Sequence, residues 1–357
     1  METIIVTGGA GFIGSALIRR LIFQGQYQVV NLDKLTYAAN LNSLASVEND
    51  PNYCFELADI CDGPAVSRLF DKYQPTAIVH LAAESHVDRS IEGPGEFINT
   101  NIVGTYNLLE ISFRYWQKLP ADAREGFRFL HVSTDEVYGS LGQDDKFREN
   151  SPYRPNSPYA ASKASSDLLA RAWHKTFGLP VIISNCSNNF GPYQFPEKLI
   201  PLMIIKAMAG EPLPVYGKGD NIRDWLYVED HAEALVTILR RGRVGNTYNV
   251  GGNCELTNLE IIHKLCKEMR AQMPKSPHIP YTQLVTFVND RPGHDFRYAI
   301  DCSKLQNELG WKPKENIDSG LAKTVSWYIQ NRIWWQDILE KKYRGERLGL
   351  IEDLKDT

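Results

Sequence analysis

The sequence lacks the features that mark a membrane protein or a nucleic-acid-binding protein. No apolar run approaches the roughly 18 residues that a membrane-spanning helix needs. The N-terminus has no positively charged segment followed by an apolar one. The formal net charge is −4, so the chain carries no overall excess of positive charge. We therefore expect no signal peptide, no membrane segment and no nucleic-acid partner.

The cysteines are also not spaced as metal ligands. The six cysteines form no CxxC pair and have no histidine at metal-ligand spacing. Thiols of this kind are usually reduced and packed in the core of an intracellular protein. We expect no metal site and a cytoplasmic location.

A complete βαβ pattern opens the chain. Strand Thr3–Val6 leads into the turn Gly8–Gly14, which is followed by helix Ser15–Gln24 and strand Gln28–Leu32. Glycines at 8, 11 and 14 let the backbone approach a pyrophosphate and direct helix N–H groups towards it. Asp33 follows Gly14 by about 20 residues, where a carboxylate accepts hydrogen bonds from a ribose 2′-OH and repels a 2′-phosphate. The pattern therefore favours NAD over NADP.

Strands and helices continue to alternate to residue 184. The predicted strands are 52–57, 77–81, 127–132 and 181–184, and the predicted helices include 64–73 and 99–116. This alternation predicts a Rossmann-like, doubly wound parallel sheet of the α/β class. Residues 223–228 are predicted to return to the same sheet.

Prolines after residue 190 mark a change from this rhythm to loops and short helices, which predicts a smaller C-terminal α/β lobe that binds substrate. We expect residues 1–186 and about 218–247 to form the NAD-binding domain. Residues about 187–217 and 248–330 would form the lobe, and 331–357 a tail without an assigned role.

The most informative stretch runs from 129 to 163. A buried strand ends at Ser133-Thr134-Asp135-Glu136, and a later helix begins near Tyr159 and carries Lys163 one turn further on. A lysine beside a tyrosine stabilises the phenolate, which then removes a proton from an alcohol. Two adjacent carboxylates supply a further acid and base, but the sequence alone does not assign which residue has which role.

Several motifs resemble the extended short-chain dehydrogenase/reductase superfamily, and more narrowly the dTDP-glucose 4,6-dehydratase family. They are TGGAGFIG, DKLTYAANLNSL, HLAAESHVDRSI, STDEVYG, SNNFGPYQFPEKLIP and RPGHDFRYAID. The resemblance implies NAD-dependent oxidation of dTDP-glucose at C4, elimination of water across C5–C6, and hydride return to C6. It further implies catalytic roles for Thr134, Tyr159 and Lys163, with Asp135 as acid and Glu136 as base.

The resemblance also implies two sets of binding residues. Expected cofactor contacts are Gly8, Gly11, Phe12, Ile13, Gly14, Asp33, Lys34, Leu35, Thr36, Asp59, Ile60, Leu81, Ala82, Ala83, Glu84, Ser85, Thr100, Tyr159, Lys163 and Asn189. Expected substrate contacts are Ser85, Thr134, Asn188, Lys198, Leu199, Pro214, Val215, Tyr216, Arg223, Asn258, Asp290, Arg291, Pro292, Gly293 and His294. Arg223 and Arg291 are the expected diphosphate partners, because guanidinium binds phosphate with two parallel hydrogen bonds.

Three alternatives stay open at this point. The same oxidation machinery suits a UDP-sugar 4-epimerase or a decarboxylase, and a non-catalytic NAD or nucleotide-sugar sensor would need the binding residues alone. The nucleotide base is also open, between thymidine and other nucleosides. Apolar residues on the helices 99–116 and 160–176 predict a homodimer through a four-helix interface.

Overall fold

The computed structural model describes residues 1–290 and 293–341. Its strands are β1 Glu2–Thr7, β2 Tyr27–Asp33, β3 Tyr53–Leu57, β4 Ala77–His80, β5 Arg128–Thr134, β6 Val181–Cys186, β7 Asn188–Phe190, β8 Leu213–Tyr216, β9 Ile222–Tyr227, β10 Thr247–Val250, β11 Glu255–Thr257 and β12 Val285–Val288. Its α-helices are α1 Phe12–Phe23, α2 Gly63–Tyr73, α3 Val87–Glu92, α4 Pro94–Phe97, α5 Thr105–Lys118, α6 Ala121–Gly126, α7 Pro158–Phe177, α8 Leu199–Ala209, α9 Val228–Arg241, α10 Asn258–Gln272, α11 Ser303–Leu309, α12 Ile317–Gln330 and α13 Arg332–Lys341. No helix in these two ranges has both the length and the apolar character to cross a bilayer.

A seven-stranded sheet forms the centre, in the order β10-β6-β5-β4-β1-β2-β3. Each neighbouring pair is parallel. Continuous apolar runs such as Ile4-Ile5-Val6 suit these strands because helices cover both faces of the sheet. Helices α1 and α9 pack in one core cluster, and residues of α2, α5 and α7 pack in another. The Rossmann-like α/β prediction is confirmed.

The predicted return of residues 223–228 to the main sheet is wrong. Strand β9 instead lies in a separate three-stranded sheet between β11 and β7, and β10 is the strand that joins the main sheet, beside β6. The buried Asp224 side chain explains the placement, because its two oxygens accept N–H groups from Gly252 at 3.1 Å and Cys254 at 2.7 Å. These bonds hold β9 against the segment that leads into β11.

The C-terminal part has its own core. Side chains from α8, α10 and α12 pack with Trp225 and Tyr227 of β9 in a separate cluster. A two-stranded parallel sheet of β8 and β12 belongs to the same region. The division of the chain into two functional domains with the boundaries given above stays a prediction.

The helix predicted over 99–116 begins differently from the prediction. Residues Ile98–Gly104 form a π-helical turn, and regular α-helix starts only at Thr105. A Cβ added at Gly104 would lie 2.6 Å from the Ile60 side chain, so this turn packs closely against the loop after β3. The wider turn buries Thr100 and Asn101, and such π segments often occur at functional sites.

Candidate active site

A cleft with a cavity of about 310 Å³ opens at the carboxyl ends of the central strands. Ligands of doubly wound folds bind at this edge of the sheet. Residues that follow β1, β2, β4, β5 and β6 line it, together with α7 and the loop between β7 and α8. All five predicted catalytic residues line this cleft, as do all predicted cofactor residues except Leu35.

The turn Gly8–Gly14 forms one wall, and it requires glycine at two positions. Gly8 has φ +72°, and a Cβ there would lie 2.7 Å from the Ala82 nitrogen. A Cβ at Gly14 would lie 2.2 Å from the Gly8 carbonyl oxygen. Helix α1 starts next to this turn with Gly11 as its N-cap, so its first N–H groups lie beside the cleft. A backbone wall of this kind fits the pyrophosphate of a dinucleotide.

Asp33 ends β2 with its carboxylate held by the main chain. Its oxygens accept the Ala10 N–H at 3.0 Å and the Leu35 N–H at 2.8 Å. Lys34 donates to the Thr100 hydroxyl at 3.1 Å and lies 3.5 Å from an Asp59 oxygen. The ammonium is therefore balanced by a neighbouring carboxylate, and the fixed Asp33 carboxylate favours a ribose hydroxyl over a phosphate. Leu35 itself has φ +56° and is exposed.

Asn101 connects the loop after β4 to helix α7. Its side-chain amide accepts the Glu84 N–H at 2.9 Å and donates to the Glu84 carbonyl at 2.9 Å. It also donates to the Ser162 hydroxyl at 2.8 Å. Asn101 was not predicted as a site residue, because a single asparagine in a predicted helix carries no signal that a π turn will direct it inwards.

The segment after β5 places three polar side chains in the cleft. Residues Asp135–Tyr138 form a 3₁₀ turn, and the Thr134 hydroxyl caps it by accepting the Glu136 N–H at 3.3 Å. The same hydroxyl donates to Asp135 Oδ1 at 3.4 Å. Thr134, Asp135 and Glu136 all line the cavity. A strand end followed by a tight turn thus brings a hydroxyl and two carboxyl groups to one place.

Burial makes Asp135 a weak acid. The side chain is 1% exposed, and within residues 1–290 and 293–341 its Oδ2 has no hydrogen-bond partner. Desolvation raises the pKa of this carboxyl well above its usual value, and the negative charges of Glu136 and Asp224 raise it further. The Arg223 guanidinium opposes this shift. The buried site therefore favours the protonated form of Asp135 more than an exposed position would.

Tyr159 and Lys163 lie on the buried face of α7. Ser157 caps this helix by accepting the Ala160 N–H at 3.1 Å. Burial raises the pKa of the Tyr159 phenol well above its usual value, with Glu136 adding to the shift and the Thr134 hydroxyl opposing it through a hydrogen bond. Burial lowers the pKa of the Lys163 ammonium, which donates to the Val132 carbonyl at 2.9 Å. The phenol therefore needs a positive neighbour to ionise at neutral pH.

The structure divides the predicted substrate residues into two groups. Ser85, Thr134, Asn188 and Lys198 line the cleft. The remaining described residues of the set lie outside its lining: Leu199, Pro214, Val215, Tyr216, Arg223, Asn258, Asp290, Gly293 and His294. Arg291 and Pro292 lie outside the described residues, so the diphosphate role of Arg291 stays a prediction.

Several of these outer residues bind to one another or to the main chain. The Arg223 guanidinium donates to the Asp295 carbonyl at 3.0 Å and lies 4.4 Å from the Tyr298 ring centre. His294 Nδ1 lies 2.6 Å from Asp290 Oδ1, and the Tyr216 hydroxyl lies 3.5 Å from an Asp88 oxygen. The proposed contacts of these residues with substrate stay predictions.

Gln194, Phe195 and Cys186 also line the cleft, and the sequence analysis did not predict them as site residues. Gln194 and Phe195 lie within the SNNFGPYQFPEKLIP motif, so the motif carried a signal for them. Next to them, the buried Glu197 carboxylate accepts the Tyr37 hydroxyl at 3.0 Å and Arg89 Nε at 3.1 Å. This cluster joins the loop after Asp33 to the loop before α8.

Known proteins resemble this chain over almost its whole length. A family model described as GDP-mannose 4,6 dehydratase matches residues 5–324. The dTDP-glucose 4,6-dehydratase of Neisseria meningitidis serogroup B is 58% identical over 352 residues, covering 98% of this chain and 99% of the relative. The dTDP-glucose 4,6-dehydratase of Escherichia coli is 55% identical over 361 residues, with the same shares covered.

Solved structures of nucleotide-sugar enzymes are also similar to this chain. The dTDP-glucose 4,6-dehydratase of Bacillus anthracis in complex with NAD matches with a TM-score of 0.83 and 43% identity, covering 95% of this chain and 100% of that one. The UDP-glucose 4-epimerase of Thermotoga maritima, with UDP-glucose, matches with a TM-score of 0.80 but only 27% identity, covering 93% and 100%. The fold is common to both activities, whereas the sequence is closer to the dehydratase.

Proposed function

The chain belongs to the nucleotide-sugar 4,6-dehydratases, within them to the dTDP-glucose 4,6-dehydratase family, and we propose that five residues in one cleft divide its chemistry. The activity is the NAD-dependent conversion of dTDP-α-D-glucose to dTDP-4-dehydro-6-deoxy-D-glucose and water. The observation that carries the division of roles is the buried Asp135 carboxyl, which lines the same cleft as Tyr159 and Lys163.

The cofactor site is built from the glycine turn, Asp33 and the loop after β4. When NAD is bound, it supplies a hydride acceptor for C4 and a hydride donor for C6. The main-chain wall at Gly8 and Gly14 leaves room for the pyrophosphate, and Asp33 is fixed to accept from a ribose. The Asn101 amide holds residue 84 in place beside the cleft.

Oxidation at C4 requires a base for the hydroxyl proton. Tyr159 takes this proton as a phenolate, and the ammonium of Lys163 one turn along the helix stabilises that phenolate. The Thr134 hydroxyl lines the same cleft as Tyr159 and is positioned to share the C4 oxygen of the sugar. Burial alone would keep Tyr159 protonated, so the positive charge of Lys163 is essential to this step.

Elimination requires an acid at the C6 hydroxyl and a base at C5. Asp135 is suited to be the acid, because its burial and its negative neighbours favour the protonated carboxyl. Glu136 removes the C5 proton and later returns it when C6 is reduced. The order of these two residues was open from the sequence, and the pKa direction of Asp135 supports the order that the resemblance implies.

Substrate labelled with deuterium at C4 tests this function. We expect NMR to find the label at C6 of the product, because the hydride removed from C4 returns to C6 within one turnover. Label that returns to C4 would indicate a 4-epimerase, and label that is released as free reduced cofactor would indicate a simple dehydrogenase or a decarboxylase. Binding of NAD and nucleotide sugar without turnover would indicate a sensor.

We propose thymidine specificity on the 54–58% identity to relatives described as acting on dTDP-glucose. Turnover of UDP-glucose or CDP-glucose at an equal kcat/KM would contradict it. We further propose a cytoplasmic location, because all six cysteines carry free thiols, as is usual in a reducing compartment.

We also propose a homodimer that forms through α5 and α7. Apolar side chains at Val103, Tyr106, Leu168 and Phe177 are exposed on the π turn and on these two helices. Exposed apolar residues on neighbouring helices suit an isologous interface, in which the same face packs against its copy.

A further inference from the structure

Asp167 is a buried carboxylate that the proposed mechanism does not use. It lies on α7 four residues after Lys163 and is 1% exposed. His131 Nε2 lies 3.0 Å from its Oδ1. Its Oδ2 accepts the Tyr153 hydroxyl at 2.9 Å and the Asn185 amide at 3.3 Å. These three polar partners stabilise the carboxylate in the interior, where an unpaired charge would be strongly destabilising.

Two of these partners, His131 and Asn185, are connected to the catalytic groups through the main chain or a hydrogen bond. His131 precedes Val132, whose carbonyl accepts the Lys163 ammonium at 2.9 Å. The Asn185 amide also donates to the Thr134 carbonyl at 3.0 Å, immediately before Asp135. Asp167 therefore fixes β5, β6 and α7 relative to one another at the point where the site is assembled.

The charges around Lys163 give Asp167 a second consequence. Side chains four residues apart on a helix are neighbours, about 5–6 Å between Cβ atoms. Burial lowers the pKa of Lys163, whereas the Asp167 carboxylate raises it. The titratable groups on the adjacent strands offer little competing charge. Burial lowers the pKa of His80 on β4 and of His131 on β5, and it raises that of Cys186 on β6 to about 12.

Tyr153 and the catalytic carboxyls complete the surroundings of Lys163 and Asp167. Burial raises the pKa of the Tyr153 phenol, so it stays neutral when it donates to Asp167. Glu136 acts on Tyr159, where its negative charge raises the pKa of the phenol and opposes its ionisation. A protonated Lys163 is what counters that effect, and Asp167 is the carboxylate nearest to it along the helix.

We propose that Asp167 is a positioning residue for the reaction, which holds Lys163 as an ammonium against the Val132 carbonyl and thereby favours the Tyr159 phenolate. The inference rests on the roles proposed for Tyr159 and Lys163. Asp167 touches no reacting atom, so its effect passes through Lys163.

Asp167→Asn tests this inference, with Tyr153→Phe as the matched control. Asparagine keeps the volume and can still accept from His131, but it removes the charge. Phenylalanine at 153 removes one hydrogen bond to Asp167 and leaves the charge. The measurement is the pH dependence of reduction of the bound NAD in a single turnover with dTDP-glucose. We expect the acid limb of the Asp167→Asn profile to move up by about one pH unit. Loss of an opposite charge lowers the pKa of an ammonium by about 1–3 units, and a neutral Lys163 no longer stabilises the Tyr159 phenolate.

Tyr153→Phe should keep the wild-type limb, even if it lowers the melting temperature. An unchanged limb in Asp167→Asn, or an equal shift in Tyr153→Phe, would overturn the proposal and leave Asp167 a structural residue. Asp167→Ser is the second neutral variant in case the first is unstable, since a second cavity of about 260 Å³ adjoins Asp167 and can hydrate the smaller side chain. The acid limb of Asp167→Ser should shift as that of Asp167→Asn does, and an unchanged limb would overturn the proposal in the same way.

A double-mutant cycle with Lys163→Arg shows whether the effect passes through Lys163, because a guanidinium stays charged whether or not Asp167 is present. In that background Asp167→Asn should cause no further shift of the limb, and an undiminished shift would overturn the inference. The wild-type enzyme in the same assay separates this result from the function itself. Absence of NAD reduction by wild type contradicts the proposed function, whereas normal reduction with an unshifted variant contradicts only the role of Asp167.

Discussion

Substitution of Asp135 by asparagine separates the two halves of the proposed reaction. Asparagine has nearly the same shape and no charge, and the protein already favours an uncharged group at this buried position. The Thr134 hydroxyl can still donate to its side-chain oxygen, as it does to Asp135 Oδ1. An amide, however, has no acidic proton to give to the C6 hydroxyl. We expect oxidation at C4 to survive and elimination to fail.

The size of the loss follows from the value of a positioned acid. General acid catalysis contributes about 10²- to 10⁴-fold in rate. Because a tenfold change in rate corresponds to about 1.36 kcal/mol of barrier, the variant should lose about 3–5 kcal/mol in the elimination step. Stopped-flow absorbance should then show reduced cofactor that accumulates on the enzyme while product formation slows by this factor.

Glu136→Gln is the matched comparison, because it should block the same product at a different atom. In D₂O, Asp135→Asn should still exchange the C5 hydrogen of the oxidised sugar with solvent, since Glu136 is intact. Glu136→Gln should not exchange it. Full turnover in Asp135→Asn, or equal loss of cofactor reduction and elimination, would refute the assignment of Asp135 as the acid.

Asp135→Asn should also change how the stability of the folded protein depends on pH. The pKa of Asp135 is raised in the folded protein, so the folded state binds this proton more tightly than the unfolded state. The resulting stability is present below the ordinary aspartate pKa of about 4 and is lost as pH rises towards the folded pKa. Asp135→Asn cannot lose it. We expect the melting temperature of the variant to exceed that of wild type increasingly over this range, and a gap that does not grow with pH would contradict the pKa direction.

Two further predictions concern the cofactor wall and the subunit face. Gly14→Ala places a Cβ 2.2 Å from the Gly8 carbonyl, so the turn must shift at a cost of about 1–3 kcal/mol, and NAD affinity by calorimetry should fall roughly 5- to 150-fold. Gly95→Ala, where nothing lies within 4 Å, is its control, and equal affinities in the two variants would contradict the close-packed wall. Leu168→Asp puts a charge on the proposed interface and should shift sedimentation at micromolar concentration from dimer to monomer, whereas Leu57→Asp on β3, a similarly exposed leucine, should not. A dimer in both variants, or a monomeric wild type, would exclude this interface.

The main fold could be predicted from the sequence, because each signal for it lies within a short stretch of the chain. Glycine spacing, an acid at the end of β2 and apolar runs of strand length each follow from a few neighbouring residues, and the seven-stranded sheet confirms them. The adjacent Thr134, Asp135 and Glu136 come to the cleft for the same reason, since a strand that ends at the sheet edge delivers whatever residues follow it.

The errors come from contacts that are distant in sequence. The stretch 222–227 is predicted as a strand, but its sequence does not say which sheet it joins. The bonds of Asp224 to Gly252 and Cys254 decide that. The π turn at 98–104 depends on how closely Gly104 approaches Ile60, which no window of the sequence contains. Asn101 and the partners of Asp167 were missed for this reason, because each is defined by residues that other elements bring to it.

The π turn also links the cleft to the proposed subunit face. Asn101 binds the main chain of Glu84 and the hydroxyl of Ser162, so one side chain of this turn joins the loop after β4 to helix α7. Val103, two residues on, is exposed on the proposed subunit face. A second copy at the proposed face would therefore contact the same short turn through Val103. The proposed subunit contact and the side chain that holds the loop after β4 are thus two residues apart on one turn.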